Sequence, residues 1–135
     1  MIEINNLSGY SVDKKIFSTV AKKVLSGENR GTETVSLAFV GKEEIKKLNK
    51  KFRKKNKATD VLSFDLNGKD FLGEIVICPE IVKENAKKYG VSIKQEMLKV
   101  FVHGILHLCG YDHEKSEAEA EKMEKRQEKY LSNIK

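Results

Sequence analysis

The apolar segment from Ile93 to Leu108 constrains the fold of this chain more than any other feature. It follows Ser92-Ile93-Lys94-Gln95, which has the form of a capping box and predicts the start of a helix. Its apolar residues cover most sides of the helical wheel, so this helix must be buried on most sides.

Four apolar or alternating runs predict the short strands of a sheet. They are residues 2–6, 35–40, 60–66 and 71–78. NGKD, residues 67–70, predicts a hairpin turn between the last two strands. The order of the strands does not follow from these patterns.

Helical spacing of apolar residues predicts four further helices. They cover about 12–24, 45–52, 79–89 and 120–134, with Phe52, Tyr89 and Gln127 among their inner positions. Pro79 suits the first turn of the third of these helices, and Gly90 suits its end. The fold predicted is α/β (α+β), a single domain over residues 1–135 with a small mixed four-stranded sheet packed against about five helices.

Composition narrows the class of protein. The chain is 39% hydrophobic and 34% charged, which fits a globular protein. Its formal charge of +6 favours a polyanionic partner, although an ion-pair-rich surface would explain it equally. Two cysteines without CxxC spacing indicate a reducing compartment. No signal-peptide pattern and no run near the roughly 18 apolar residues of a membrane span are present, so we expect a cytoplasmic protein.

All three histidines of the chain lie in HGILHLCGYDH, from His103 to His113. His103 and His107 are four apart and share one helical face, while Gly110 allows the chain to turn back and bring His113 to them. Such pairs are often two ordinary hydrogen-bonded histidines, but the third histidine and the apolar helix favour a metal site. Three neutral imidazoles suit one zinc ion per chain with an open, catalytic fourth position, and also suit nickel or another divalent ion.

Three neighbours of the histidines refine this prediction. Cys109 lies about 200° round the helix from His107 and is expected in the core. Asp112 is expected to form a turn or to orient an imidazole. Gly104 stands where zinc peptidases of the HExxH type carry their glutamate base, which argues against peptide hydrolysis and leaves attack on a phosphodiester open.

The stretch from Lys46 to Lys57 contains eight basic residues in twelve positions and no acidic residue. This pattern suits phosphate binding, but it is also typical of a solvated helix end. Arg53 is one of only three arginines in the chain, and its planar fork can pair with two phosphate oxygens as lysine cannot. This favours a functional role in phosphate binding for Arg53 over a merely solvated position.

These motifs together resemble those of the YbeY endoribonuclease family. HGILHLCGYDH matches the histidine motif of the family, and LNKKFRKKNKATDVLSF and LGEIVIC are similar to its second and third motifs, with Ala58 in place of a usual proline and Glu74 in place of a usual aspartate. The resemblance implies that the three histidines bind zinc and that Arg53 is the functional arginine. It also implies ribosomal RNA and the ribosome as partners, and a role in small-subunit rRNA 3′-end maturation and late ribosome quality control. Neither DNA nor a membrane is expected as a partner.

The leading hypothesis is thus a zinc-dependent, single-strand-specific endoribonuclease. Lysines near Arg53 would hold the RNA backbone without reading sequence; they are Lys50, Lys51, Lys54, Lys55 and Lys57. One alternative is a non-catalytic, RNA-binding ribosome-assembly factor with a structural zinc, and another is a metal-dependent hydrolase of a different substrate. The sequence leaves open the nucleophile, the general base and the cleavage site. It is compatible with a monomer but does not determine the oligomeric state.

Overall fold

The computed structural model describes residues 2–66 and 68–134. Its sheet has four strands, which confirms the four predicted runs. They are β1 (Ile2–Asn6), β2 (Thr34–Phe39), β3 (Val61–Phe64) and β4 (Phe71–Ile77). Gly68 bridges to Phe71 in the predicted turn between β3 and β4, whereas Asn67 of that turn lies outside the described residues.

The strand order is β1-β2-β4-β3, with β1, β2 and β4 parallel and β3 antiparallel to β4. The short connection between β3 and β4 explains their antiparallel pairing, because parallel neighbours need a long crossover. Helices supply those crossovers between the parallel strands. β3 consequently forms an edge of the sheet that is paired on one side only.

The described residues also form five helices, as the sequence predicts. They are α1 (Lys14–Gly27), α2 (Lys42–Arg53), α3 (Pro79–Tyr89), α4 (Ile93–Leu108) and α5 (Glu117–Ser132). The capping box of α4 is present, with Ser92 Oγ accepting from the Gln95 backbone and Gln95 Oε1 accepting from the Ser92 backbone. In the described part of the chain, no helix has the length and apolar character needed to cross a membrane.

The helix α4 is central, because α1, α3, α5, β3 and β4 all pack against it. Phe101, Ile105 and Leu106 on this helix are fully buried in the main core. A second, smaller core lies around Ile45 of α2 and Val76 of β4. The prediction of a helix buried on most sides is therefore confirmed.

Two predicted inner positions are wrong. Phe52 and Tyr89 each have 56% of their surface exposed. Both lie in the last turn of their helices, α2 and α3, where the helix extends past the elements that bury its earlier turns. Apolar spacing continues to the end of a helix even where no neighbour remains to cover it.

Candidate active site

One cavity of about 500 Å³ brings the predicted site residues together. It lies between the end of α2, the edge strand β3, the second half of α4 and the loop after α4. The predicted residues that line it are Arg53, Lys55, Lys57, His103, His107 and His113. The two segments that the sequence analysis linked only by chemistry are thus neighbours in space.

His103 is half-buried and is held by a neighbour on α5. Its Nδ1 lies 3.0 Å from Gln127 Oε1, and because an amide oxygen accepts, Nδ1 carries the proton and Nε2 keeps its lone pair. Burial lowers the pKa of His103, and the hydrogen bond with Gln127 only partly offsets this effect. His103 is therefore a neutral imidazole with a free Nε2, which is the form that binds metals.

His107 and His113 are both exposed. Gly110 has a φ of +106°, and the chain turns back there so that the His103 and His113 ring centroids lie 4.9 Å apart. Within residues 2–66 and 68–134, however, no three His, Cys, Asp or Glu side chains stand close enough together to hold one ion as placed. Coordination by all three rings therefore requires side-chain rotation at His107 and His113, which their exposure permits.

Two residues between His107 and His113, Asp112 and Cys109, have the surroundings that the sequence predicts. Asp112 lines the cavity, and its Oδ1 accepts a hydrogen bond of 3.0 Å from the Glu114 backbone, so Asp112 forms a turn, as expected. Cys109 is half-buried and packs against the main core, also as expected. Burial raises the pKa of the Cys109 thiol to about 11, which keeps it protonated at neutral pH.

Gly104 marks a close contact between α4 and the sheet. A Cβ atom at this position would lie 3.2 Å from Ile75 Cδ1 and 3.2 Å from Ser63 Oγ. Glycine at position 104 therefore lets α4 lie close to β4 and β3, and a side chain here would require Ile75 and Ser63 to shift by a few tenths of an ångström.

The basic wall of the cavity is shaped by Asn49, a residue that sequence reasoning missed. Asn49 is 2% exposed, and its Nδ2 donates 2.9 Å to the Lys57 carbonyl oxygen. α2 ends where Lys54 takes a left-handed φ of +57°, and the chain then runs back past Asn49. This hydrogen bond holds the loop that carries Lys55 and Lys57 into the cavity.

Arg53 differs from the other two arginines of the chain. Arg30 pairs with Glu33 and Arg126 pairs with Glu28. Arg53 is exposed at the cavity and makes no hydrogen bond or ion pair with any residue that the structure describes. Its guanidinium is thus available to a ligand.

Charge in the cavity is separated rather than uniform. Arg53, Lys55 and Lys57 provide the basic side, whereas Lys50, Lys51 and Lys54 are exposed outside the cavity. Carboxylates on other segments line the cavity as well; they are Asp60, Asp112 and Glu114. A phosphate group in the cavity would therefore be attracted towards α2 and its following loop.

A carboxylate directly after α1, that of Glu28, contacts the start of the loop that carries His113. Glu28 accepts hydrogen bonds from Tyr111 Oη at 2.9 Å, from Arg126 Nε at 2.9 Å and from Tyr130 Oη. Burial alone would raise the pKa of Glu28, but hydrogen bonds from Tyr130, Tyr111 and Arg126 outweigh it and lower the pKa. Glu28 thereby joins α1 to α5 and to the residue two positions before His113.

Glu28 and Gln127 were not predicted as site residues, but their signals differ. Gln127 is a polar residue on an otherwise apolar helix face, and such a residue needs a buried partner. That signal was present in the sequence. Glu28 is one acidic residue among 20, and nothing local distinguishes it.

Comparison with known proteins identifies relatives of this chain. The family model described as Endoribonuclease YbeY matches residues 3–135. The chain belongs to the YbeY endoribonuclease family. An Endoribonuclease YbeY from Thermodesulfovibrio yellowstonii is 44% identical over 127 residues, which cover 89% of this chain and 80% of the relative. Another from Bdellovibrio bacteriovorus is 50% identical over 102 residues, which cover 76% of this chain and 67% of the relative.

The YbeY-like fold also matches a solved structure. The solution structure of a protein from Thermotoga maritima superposes with a TM-score of 0.72 at 35% sequence identity, covering 99% of this chain and 89% of that one. Membership of the YbeY endoribonuclease family confirms the resemblance seen in the three motifs. The fold of one mixed four-stranded sheet with five helices is confirmed with it.

Proposed function

We propose that this chain is a zinc-dependent, single-strand-specific endoribonuclease that acts in the cytoplasm on ribosomal RNA. Its proposed roles are maturation of the small-subunit rRNA 3′ end and late ribosome quality control. The observation that carries the proposal is the single cavity that unites all three histidines with Arg53. The relatives are named Endoribonuclease YbeY, which supports RNA as the substrate.

The three histidines of the cavity suit one zinc ion per chain once the exposed side chains of His107 and His113 rotate towards His103. His103 is neutral with a free Nε2, and His107 and His113 are exposed side chains on the same cavity. A zinc ion held by these residues would supply a Lewis acid for the phosphoryl oxygen or for a water molecule. Three protein ligands leave it a position for either.

The protein groups around the histidines have separate tasks in this proposal. Arg53 pairs with the phosphate and stabilises the negative charge that grows in the transition state. Lys55 and Lys57 hold the neighbouring backbone. Gln127 keeps the proton of His103 on Nδ1, so that Nε2 always faces away from α5.

The charge pattern of the cavity supports a preference for single strands. The phosphates of one strand can follow Arg53, Lys55 and Lys57, whereas the second strand of a duplex would bring its phosphates towards Asp60, Asp112 and Glu114. Repulsion between like charges disfavours that second strand. A single strand avoids it.

The test of metal dependence compares the wild type with His107→Ala. Elemental analysis of the wild type should give one zinc per chain, and RNA cleavage should stop on chelation and return with zinc. His107→Ala should lose both metal and cleavage, while Lys94→Ala, an exposed position on the same helix, should keep both. Chelation that unfolds the protein, with no cleavage detected before it, would support a structural zinc instead.

The test of substrate uses matched single-stranded RNA, duplex RNA and casein. Cleavage of the single strand alone is expected, and cleavage of casein would point to a different hydrolase. For the ribosomal role, a small-subunit precursor extended at its 3′ end should be shortened by the wild type and not by Arg53→Ala. A precursor left intact under conditions in which short RNA is cut would contradict that role.

A further inference from the structure

Phe52 is an exposed aromatic residue inside the basic stretch from Lys46 to Lys57. It lies in the last turn of α2, directly before Arg53, and 56% of its surface is exposed. Single exposed apolar residues are common, so exposure alone decides nothing. The contacts and the charge around Phe52 carry the argument.

The ring of Phe52 is anchored although it is exposed. It packs edge-on against the ring of Phe64, with centroids 5.3 Å apart and planes 68° apart. Phe64 belongs to β3, which pairs with β4, so the sheet fixes the support of the Phe52 ring. A ring held in place loses little freedom when a ligand stacks on it.

The ring of Phe52 is also accessible to a ligand. Lys51 Nζ lies 5.2 Å from its centroid, which is a cation–π contact at the protein surface. Such exposed contacts are weaker than the stacking of a nucleobase on an aromatic ring. A base can therefore displace the Lys51 ammonium, which then becomes free to pair with a phosphate.

The surroundings of Phe52 match a single-stranded nucleic acid. Lys50, Lys51, Arg53, Lys54 and Lys55 are all exposed around it. A basic track with an exposed aromatic ring is the combination by which proteins bind single strands without reading their sequence. Duplex RNA offers no free base face to such a ring.

We infer that Phe52 is a stacking platform for one unpaired base of an RNA strand whose backbone follows the basic stretch towards Arg53. The inference rests on the proposed function for its RNA substrate and adds a binding site outside the cavity. Phe52 then selects for unpaired bases, whereas Lys50, Lys51 and Lys54 contribute charge there. The inferred binding site thus assigns a role to lysines that do not line the cavity.

The test is equilibrium binding, measured by fluorescence anisotropy with a 2′-O-methyl RNA strand of about 12 nucleotides. This strand keeps its bases and phosphates but cannot attack through its 2′ oxygen. A second strand of the same length is abasic throughout. Phe52→Ala should weaken binding of the intact strand about tenfold and leave binding of the abasic strand unchanged.

Further variants separate stacking from apolar contact and from charge. Phe52→Trp should bind as tightly as the wild type, and Phe52→Leu should bind as weakly as Phe52→Ala. Because Phe52 carries no charge, Phe52→Ala should keep the salt dependence of binding, whereas Lys55→Ala should reduce its slope by about one. Tyr10 is the control: it is 40% exposed and follows β1, at the opposite edge of the sheet, and Tyr10→Ala should bind as the wild type does.

Two results would overturn the inference in distinguishable ways. If Phe52→Ala and the wild type bind the intact strand equally, Phe52 is not a platform, and the proposed endoribonuclease is unaffected. If the wild type binds neither strand, the RNA substrate itself is wrong and the inference falls with it. Thermal unfolding should show that each variant is folded at the assay temperature, with a slightly lower midpoint for Phe52→Ala because the contact with Phe64 is lost.

Discussion

His103 and Arg53 line the same cavity but are held in opposite ways. His103 is half-buried and hydrogen-bonded to Gln127, on a helix packed on most sides. Arg53 is exposed, ends α2 and has no polar partner among the described residues. The comparison indicates that His103 is fixed before a ligand arrives, whereas Arg53 becomes ordered only when a ligand binds.

Arg53→Ala should have the largest effect on activity. We expect RNA cleavage to fall about 10²- to 10³-fold, because a group that stabilises transition-state charge is lost. The free energy of unfolding should change by less than about 0.5 kcal/mol, because the side chain has no partner to lose. Single-turnover cleavage and urea unfolding measure these two quantities.

Arg30→Ala is the matched control for that variant. It removes a surface pair with Glu33 and should leave cleavage unchanged. Equal cleavage by Arg53→Ala and the wild type would remove Arg53 from the catalytic role.

On the histidine side, Glu28→Ala should instead lower the stability of the fold. Three donors lose their acceptor, and the Glu28 side chain is only 8% exposed, so we expect a loss of about 2 to 3 kcal/mol in unfolding free energy. Glu121→Ala, which removes an exposed pair with Lys125, should cost less than about 0.5 kcal/mol. Urea unfolding compares the two, and equal costs would show that Glu28 is not a structural centre.

Gln127→Leu breaks the fixed state of His103 more locally. The Nδ1 proton loses its acceptor, and we expect zinc affinity to fall about 10- to 100-fold. Gln127→Glu keeps an acceptor and should retain zinc affinity. Competition with a chelating dye measures affinity without reference to cleavage, and unchanged affinity in Gln127→Leu would mean that Gln127 does not orient the ring.

The pH dependence of stability gives the smallest expected effect. Because the pKa of Glu28 is lowered on folding, its contribution is fully present above the ordinary value of 4.5 and is lost as pH falls through the lower folded value. The difference in unfolding free energy between the wild type and Glu28→Gln should therefore shrink as the pH falls below 4.5. Urea unfolding at a series of pH values would show this, and a constant difference would contradict the lowered pKa.

Local patterns in the sequence predicted the elements of the fold well. The strands, the five helices and the Ser92 capping box follow from periodicity and capping, which act between near neighbours. The strand order β1-β2-β4-β3 did not follow, because it depends on contacts between distant segments. Phe52 was misplaced for a related reason, since spacing shows which side of a helix is apolar and not where its cover ends.

The candidate site likewise contains some contacts that the sequence predicted and others that it did not. The approach of His113 to His103 was predictable, because spacing and Gly110 act within one short segment. Gln127 lies 24 residues from its partner His103, and Glu28 lies 83 residues from Tyr111. Such pairings are fixed by the packing of α5 and α1 on the central helix, and no local pattern records them.

Gln127, which forms a hydrogen bond with His103, is synthesised after all three histidines. A protein is synthesised from its N-terminus, so α5 emerges after the histidines of α4 and after Arg53. Until Gln127 has emerged, nothing on α5 can select the tautomer of His103, and Glu28 still lacks Arg126 and Tyr130. A nascent chain therefore carries the three imidazoles before α5 can supply the contacts of Gln127 with His103 and of Arg126 and Tyr130 with Glu28.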